Sequence, residues 1–117
     1  MTGLRSYHAG LAAEDSVVRH YLASGMSVLA RRWKGRAGEI DLVLRAGEGL
    51  VFVEVKQSRS HQRAALHLGP SQMGRLGRAA TEFLGTMPLG QNTDCRFDLA
   101  LVDGTGRVEI IENIFLA

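Results

Sequence analysis

Two neighbouring segments of the 117-residue chain carry ionised side chains where core strands would carry aliphatic ones. The segment GEIDLVL contains Glu39 and Asp41, and the segment VFVEVK contains Glu54 and Lys56. Carboxylates without clustered cysteine or histidine suit a hard cation, Mg²⁺ or Mn²⁺. Such an ion activates water and stabilises charge on a phosphate, and a nearby lysine can orient the attacking water. These residue types therefore indicate the chemistry of phosphodiester hydrolysis.

The two segments are predicted to form a β-hairpin with a four-residue turn at Ala46–Gly49. Because side chains alternate between the faces of a strand, one face of this hairpin is predicted to be wholly aliphatic and buried. That face comprises Ile40, Leu42, Leu44, Val51, Val53 and Val55. The same register pairs Arg45 with Leu50 and Val43 with Phe52. It also places Asp41 opposite Glu54, and Glu39 opposite Lys56.

The opposed pair Asp41 and Glu54 requires compensation. Two ionised carboxylates directly opposite each other are unfavourable by about 0.2–1 kcal/mol when nothing lies between them. Lys56 supplies one positive charge nearby, and a divalent cation would supply more. The alternative is that these side chains belong to a solvent-exposed face of the sheet, which needs no compensation.

A helix predicted over residues 9–24, ending at Gly25, contributes a further acid. Glu14 falls within the apolar stripe made by Leu11, Val17, Val18 and Tyr21. Because an isolated charge is costly to bury, Glu14 is predicted to point into a polar pocket at the ionised end of the hairpin. The alternative is a frayed first helical turn, where the helix dipole favours an acidic residue.

The remaining pattern predicts the order α-β-β-β-α-β-β, an α/β protein with helices packed on a mixed sheet. Strands are predicted over 26–33, 95–103 and 108–116, and a loop over 57–67. A second helix is predicted over 70–84, with one apolar side (Met73, Leu76, Ala80, Phe83, Leu84) and one polar side (Arg75, Arg78, Glu82).

Composition bounds the class of protein. Hydrophobic residues make up 45% and charged residues 22%, which is ordinary for one globular domain spanning residues 1–117. No apolar run is long enough to cross a membrane, so no membrane partner is expected. Cys95 is the single cysteine and cannot form an internal disulfide, so we expect a cytoplasmic protein.

The net charge is only +2, but the basic residues are clustered. Residues predicted to contact a nucleic-acid backbone are Arg31, Arg32, Lys34, Arg36, Arg59 and Arg75. No sequence-reading element is evident, so recognition is expected to use phosphates and shape. A solvated basic surface without a partner is the alternative.

The spacing of Asp41 from Glu54-Val55-Lys56 resembles the signature of the PD-(D/E)xK nuclease superfamily. More narrowly, the chain resembles the YraN-like family of uncharacterised bacterial proteins, which are predicted endonucleases related to archaeal Holliday-junction resolvases. The resemblance covers most of the chain, in the segments GLAAEDSVVRHYL, GEIDLVL, VFVEVKQSR, RLGRAATEFL and RFDLALV.

The resemblance implies a restriction-endonuclease-like fold and a Mg²⁺- or Mn²⁺-dependent endonuclease acting on DNA, branched or structured DNA included. It implies that Asp41 and Glu54 are metal ligands and that Lys56 is the catalytic lysine. Glu14 matches the helix-borne acid of many superfamily members, and Glu39 is a hypothetical further ligand.

The chain departs from the family pattern at Gln72, where relatives usually carry lysine, and at Gln57, which follows Lys56. Both residues reduce the positive charge near the expected substrate path. Two alternatives therefore stand beside the enzyme: a non-catalytic nucleic-acid-binding module, and an interaction scaffold that retains the nuclease fold. A homodimer is expected for the enzyme, because cutting both strands of a duplex needs two active sites.

Overall fold

The computed structural model describes residues 2–57 and 69–115, with side chains from Gly10 onward. Its elements are α1 (Thr2–Ala23), β1 (Ser27–Lys34), β2 (Glu39–Ala46), β3 (Gly49–Gln57), α2 (Pro70–Leu84), a 3₁₀ turn (Gly90–Asn92), β4 (Cys95–Val102) and β5 (Val108–Ile111). The predicted order is confirmed. Of the predicted loop over 57–67, only Gln57 lies within the described residues, and it ends β3. No helix within the described part of the chain is long and apolar enough to cross a bilayer.

The five strands form one mixed sheet in the order β1-β2-β3-β4-β5. β3 and β4 are parallel, and the other neighbours are antiparallel. A parallel pair needs a crossover connection, and α2 lies within the chain that joins β3 to β4. The predicted α/β class with a mixed sheet is confirmed and is consistent with a restriction-endonuclease-like fold.

The two helices cover opposite faces of the sheet. On one face Val17 and Tyr21 of α1 pack against aliphatic side chains of β2, β3 and β4. On the other face Leu76 and Phe83 of α2 pack against a cluster that includes Phe52. The ring of Phe52 contacts Phe83 edge-on, with centroids 5.8 Å apart. Both faces of the central strands are therefore buried.

Helix α1 ends at the glycine predicted from sequence but begins earlier than predicted. Gly25 has a left-handed φ of +88°, and its N–H donates to the carbonyl of Leu22 at 3.0 Å. The N–H of Met26 donates to the carbonyl of Tyr21 at 3.2 Å, which completes a Schellman motif. The helix starts at Thr2 rather than at residue 9, because no proline interrupts the first residues and Gly10 is tolerated inside it.

Strand β5 is shorter than predicted. It ends at Ile111 rather than at residue 116, because the backbone turns away from the sheet at Asn113, where φ is +56°. The N–H of Asn113 donates to the buried carboxylate of Asp98 at 3.3 Å. The N–H of Ile114 then donates to the carbonyl of Phe97 at 2.8 Å, so the chain after β5 stays bound to β4.

The turn between β1 and β2 is fixed by Glu82, which lies on the predicted polar side of α2. The N–H of Arg36 donates to both carboxylate oxygens of Glu82, at 2.8 and 3.0 Å. A side chain at Gly35 would collide with the Glu82 carboxylate and would lie 2.6 Å from the Trp33 ring. The sequence therefore needs glycine at this position because another side chain occupies the space.

We expect Gly35→Ala to lower the free energy of unfolding by about 1–2 kcal/mol, because the Glu82 carboxylate loses its backbone donors. Urea denaturation measures the change. Gly104→Ala is the matched control, since nothing lies within 4 Å of the position where its Cβ would be. Equal stability of the two variants would contradict this role of Glu82.

Candidate active site

Asp41 lies where β2 and β3 separate. The antiparallel ladder runs from Ala46 and Gly49 to Leu42 and Val53 in the predicted register, and it ends there. One carboxylate oxygen of Asp41 accepts the backbone N–H of Val55 at 2.8 Å. The predicted ladder pairs of Asp41 with Glu54 and of Glu39 with Lys56 are therefore wrong, because a side-chain acceptor replaces the backbone acceptor at this point.

The predicted aliphatic face of the hairpin also breaks at Asp41. Leu42 and Leu44 face α1 as predicted, but Ile40 lies in the cluster beneath α2 together with Val43. A strand with uninterrupted alternation would place Ile40 and Leu42 on the same face. The prediction for Ile40 is wrong because β2 changes its facing at Asp41.

Strand β1 changes its facing at the same level. Arg31 pairs with Leu42 and Trp33 pairs with Ile40, so Arg32 lies opposite Asp41. Arg32 has a left-handed φ of +50°, which is uncommon for a residue with a side chain. Irregular strand backbone and local strain occur preferentially beside functional sites. One backbone irregularity of the sheet thus lies at the predicted metal ligand Asp41, and another, a register shift in β1, lies between Val28 and Ala30.

Glu14 is buried on α1, with 6% of its surface exposed. Its two carboxylate oxygens accept the Nε–H of Arg32 at 3.0 and 3.1 Å, and Nη2 of Arg31 lies 3.6 Å away. The alternative of a frayed first turn is wrong, because Glu14 lies in the middle of α1. Its direct partner is Arg32, while its charge still acts on Asp41 and raises the pKa of that carboxyl.

Asp41 and Glu54 are two half-buried carboxyls whose pKa values are both raised. Burial, and then the charge of Asp41, raises the pKa of Glu54 to about 7. Burial, and then the charges of Glu14 and Glu39, raises the pKa of Asp41, against the Val55 N–H that lowers it. This electrostatic coupling requires the acids to lie close together, and it argues against the alternative of a fully solvated sheet face.

Lys56 is the cation beside this pair. Its Nζ lies 3.5 Å from Glu54 Oε1, and the side chains of both residues are largely covered, with 25% and 20% exposed. Its charge lowers the pKa of both Asp41 and Glu54, but the remaining effects are larger and both pKa values stay raised. One lysine therefore compensates the acids only in part.

A small cavity opens beside Glu54 between β2, β3 and α2. Its volume is about 100 Å³, and the residues that line it are Gly38, Glu39, Glu54, Gln72, Arg75 and Leu76. Acidic side chains of the sheet thus face Arg75 and Gln72 of α2 across the cavity. This volume suits an ion with its waters or a phosphate oxygen, and it is too small for a base.

The donor set fits Mg²⁺ or Mn²⁺ through two carboxylates. Among the described side chains no group of three or more acidic, histidine or cysteine residues is arranged to hold a metal. Mg²⁺ characteristically takes one or two protein carboxylates and keeps several waters. Asp41 and Glu54 supply two carboxylates and so meet that requirement. The acids predicted to converge therefore influence one another's pKa values. Glu39 lines the cavity but does not complete a three-residue ligand group.

The predicted nucleic-acid-binding residues fall into two groups. Arg31 and Arg32 make ion pairs with α1; Nη2 of Arg31 lies 2.8 Å from Asp15. Lys34 and Arg36 are exposed near the β1–β2 turn, and Arg75 is exposed at the cavity. Arg59 lies outside the described residues. The second group is therefore exposed to solvent, and its contact with phosphates stays a prediction.

A second buried acid lies outside the candidate site. Asp98 is fully buried and accepts the hydroxyl of Tyr21 at 2.8 Å and Nε–H of Arg96 at 3.2 Å. Burial, and then the hydrogen bond to Asp98, raises the pKa of Tyr21. Arg96 and Asp98 therefore form an ion pair within β4. The network joins α1 to β4 and to the turn at Asn113.

Fold and site together define an α/β protein with an acidic cluster where two sheet strands separate. The model of the uncharacterised protein family UPF0102 matches residues 13–102. A UPF0102 protein of Ruegeria pomeroyi is 59% identical over 97% of this chain and 92% of its own length. One of Cereibacter sphaeroides strain KD131 is 56% identical over the whole of both chains. One of Dinoroseobacter shibae is 46% identical over 96% of this chain and 84% of its own length. The chain belongs to the uncharacterised UPF0102 family, and the resemblance to YraN-like proteins is confirmed.

Proposed function

We propose that this protein is a metal-dependent endonuclease that hydrolyses phosphodiester bonds of DNA, branched or structured DNA included. The observation that carries the proposal is Glu54, which lines a cavity with Arg75, is paired with Lys56 and has its pKa raised by the charge of Asp41. Two neighbouring carboxyls whose pKa values are both raised form a site that a divalent cation would stabilise. A purely structural site has no use for that unresolved repulsion, because replacing either acid would relieve it.

Asp41 and Glu54 would hold the metal ion. When bound, Mg²⁺ or Mn²⁺ supplies an activated water and stabilises charge on the phosphate. The Val55 N–H fixes the Asp41 carboxylate by a hydrogen bond at 2.8 Å, so this ligand is oriented before the ion arrives. Glu54 is held by its own strand and by Lys56. A preorganised pair loses little conformational freedom on binding the ion.

Lys56 is proposed to act on the reacting phosphate. Its ammonium lies on the same side of β3 as Glu54, because residues two apart on a strand share a face. From there it can orient the attacking water by hydrogen bonding and balance the negative charge that develops on the phosphate. In the absence of substrate, the ion pair with Glu54 keeps the ammonium in place.

Arg75, Lys34 and Arg36 are proposed to bind the DNA backbone. Arg75 lines the cavity, and the β1–β2 turn that carries Arg36 is tied to α2 through Glu82. Such contacts are to phosphates, so they position any sequence equally well. The modest net charge of +2 predicts weak, salt-sensitive binding. The homodimer, the cytoplasmic location and the role of Arg59 remain predictions.

Calorimetric titration with Mn²⁺ tests the metal site. The parent protein is expected to bind one ion, and Asp41→Ala is expected to lose the signal because half of the ligand pair is gone. Asp15→Ala is the matched control, since that acid is exposed on α1 and pairs with Arg31 instead. Equal heats for the parent and for Asp41→Ala would remove the metal site.

Incubation with linear, nicked and four-way DNA in the presence of Mn²⁺ tests the reaction itself. Products are expected with the parent protein and not with Asp41→Ala. DNA binding without metal-dependent products would favour the non-catalytic binding module. Neither binding nor products would favour the interaction scaffold.

A further inference from the structure

Two consecutive arginines of β1 pair with the same helix. Nη2 of Arg31 lies 2.8 Å from Asp15, and Nε of Arg32 donates to Glu14 at 3.0 Å. Consecutive side chains of a regular strand point to opposite faces of the sheet. The left-handed φ of +50° at Arg32 turns its side chain to the α1 side as well. The backbone irregularity therefore has one visible result, which is the pairing of Arg32 with Glu14.

That pair lies directly behind the candidate metal ligand. By register Arg32 is opposite Asp41, and its Nε–H donates to Glu14 at 3.0 Å, so the Glu14 carboxylate lies beside the strand position that faces Asp41. Glu14 is 8% exposed at its side chain and Arg32 is 35% exposed, so water screens the carboxylate only weakly. Without the guanidinium of Arg32, Glu14 would keep only the more distant Arg31, at 3.6 Å, and would add negative charge to the field around Asp41 and Glu54.

We propose that Arg32 is a positioning residue, which neutralises Glu14 and thereby sets how tightly Asp41 and Glu54 hold a divalent cation. This inference rests on the proposed function, since it concerns the same metal site. In the role proposed here, Arg32 acts through Glu14. Its consequence is an affinity for the ion that depends on a salt bridge outside the ligand pair.

The two members of the pair have opposite expected effects on Mn²⁺ binding. Arg32→Asn removes the positive charge, so the Mn²⁺ dissociation constant is expected to fall about tenfold. Asparagine also tolerates a left-handed backbone, so the variant keeps the local conformation. Glu14→Gln leaves the guanidinium without this carboxylate and is expected to raise the dissociation constant about tenfold. The double variant is expected to return to within about threefold of the parent value, because charge is again balanced.

Opposite signs separate this role from a merely structural one. If the pair only held α1 against β1, both single variants would loosen the site and both would weaken Mn²⁺ binding. Arg32→Lys keeps the charge and is expected to stay within about threefold of the parent. Arg19→Asn removes an exposed arginine of α1 that donates to Ser16, and it is expected to change the constant less than twofold.

Calorimetric titration of the metal-free protein without DNA decides the outcome. An unchanged or weaker affinity in Arg32→Asn overturns the inference and leaves the proposed metal site standing, provided that the parent binds Mn²⁺ and Asp41→Ala does not. No binding by the parent overturns the metal site itself. If Arg32→Asn does not fold, Glu14→Gln and Arg32→Lys carry the test, and an unchanged constant in Glu14→Gln overturns the inference.

Discussion

Replacing Lys56 by alanine is expected to lower the rate of Mn²⁺-dependent DNA cleavage by at least about 100-fold at saturating metal and DNA. The ammonium is the one side-chain cation placed beside Glu54 on its own strand, 3.5 Å from that carboxylate. Without it, the attacking water loses an orienting donor and the phosphate loses a compensating charge. Mn²⁺ affinity is expected not to fall, because removal of a positive charge favours a cation. Single-turnover cleavage and calorimetry measure the two quantities separately.

Lys34, the other of the two lysines in the chain, provides the matched control for that experiment. Lys34 is exposed at the end of β1, outside the cavity. Lys34→Ala is expected to raise the DNA concentration needed for half-maximal rate and to leave the rate at saturating DNA within about threefold, as for a phosphate contact. Equal loss of rate in both variants would mean that Lys56 acts through general charge and not at the reacting phosphate.

The sequence predicted the fold well where hydrophobic periodicity is local. The apolar side of α2 has the helical period, and the structure buries Leu76, Ala80 and Phe83 as predicted. The register of the hairpin followed from its turn, where Gly47 supplies the left-handed φ of +62°. Such features depend on residues a few positions apart, so one sequence suffices to find them.

Apart from the early start of α1, the failures depend on contacts between distant residues. The ladder ends at Asp41 because its side chain accepts a backbone N–H, and β5 ends early because Asn113 donates to Asp98. Glu82 lies on the predicted polar side of α2, but the sequence did not predict that it accepts N–H groups of the β1–β2 turn. In each case a side-chain carboxylate replaces a backbone acceptor, and a periodic pattern contains no sign of that exchange.

The sequence predicted which acidic residues belong to the candidate site, but it did not predict the partners of the basic residues. Carboxylates on hydrophobic strands and on an apolar helix stripe stand out because burial of a charge is costly. Arg31 and Arg32 look like a phosphate-binding cluster in the sequence, yet their partners Asp15 and Glu14 lie on α1. The sequence gives only a weak sign of this pairing. Arg31 and Arg32 are adjacent in a strand, and regular alternation would direct only one of them to α1. The functional roles of all these residues remain predictions.

The raised pKa of Glu54 makes the free energy of unfolding depend on pH in a defined direction. Its folded value of about 7 exceeds its ordinary value of 4.5. The protonated carboxyl therefore contributes stability below about pH 4.5, and that contribution is lost as pH rises through about 7. A difference of this size corresponds to about 3 kcal/mol. The pKa of Asp41 is raised as well, so its contribution has the same sign.

Glu54→Gln is expected to be more stable than the parent protein at pH 8 and to match it at pH 4, because glutamine has no charge to bury. Urea denaturation at the two pH values measures the effect, and Glu48→Gln, on the exposed hairpin turn, is the control without it. Saturating Mg²⁺ at pH 8 is expected to stabilise the parent and not Glu54→Gln, because an ion that binds only the folded state shifts the equilibrium toward it. If the free energies of unfolding of the parent and Glu54→Gln change equally with pH, then ionised Glu54 does not destabilise the fold. If Glu54→Gln is more stable than the parent without Mg²⁺, and if Mg²⁺ removes that difference, then the repulsion between acids lies where the metal is proposed to bind.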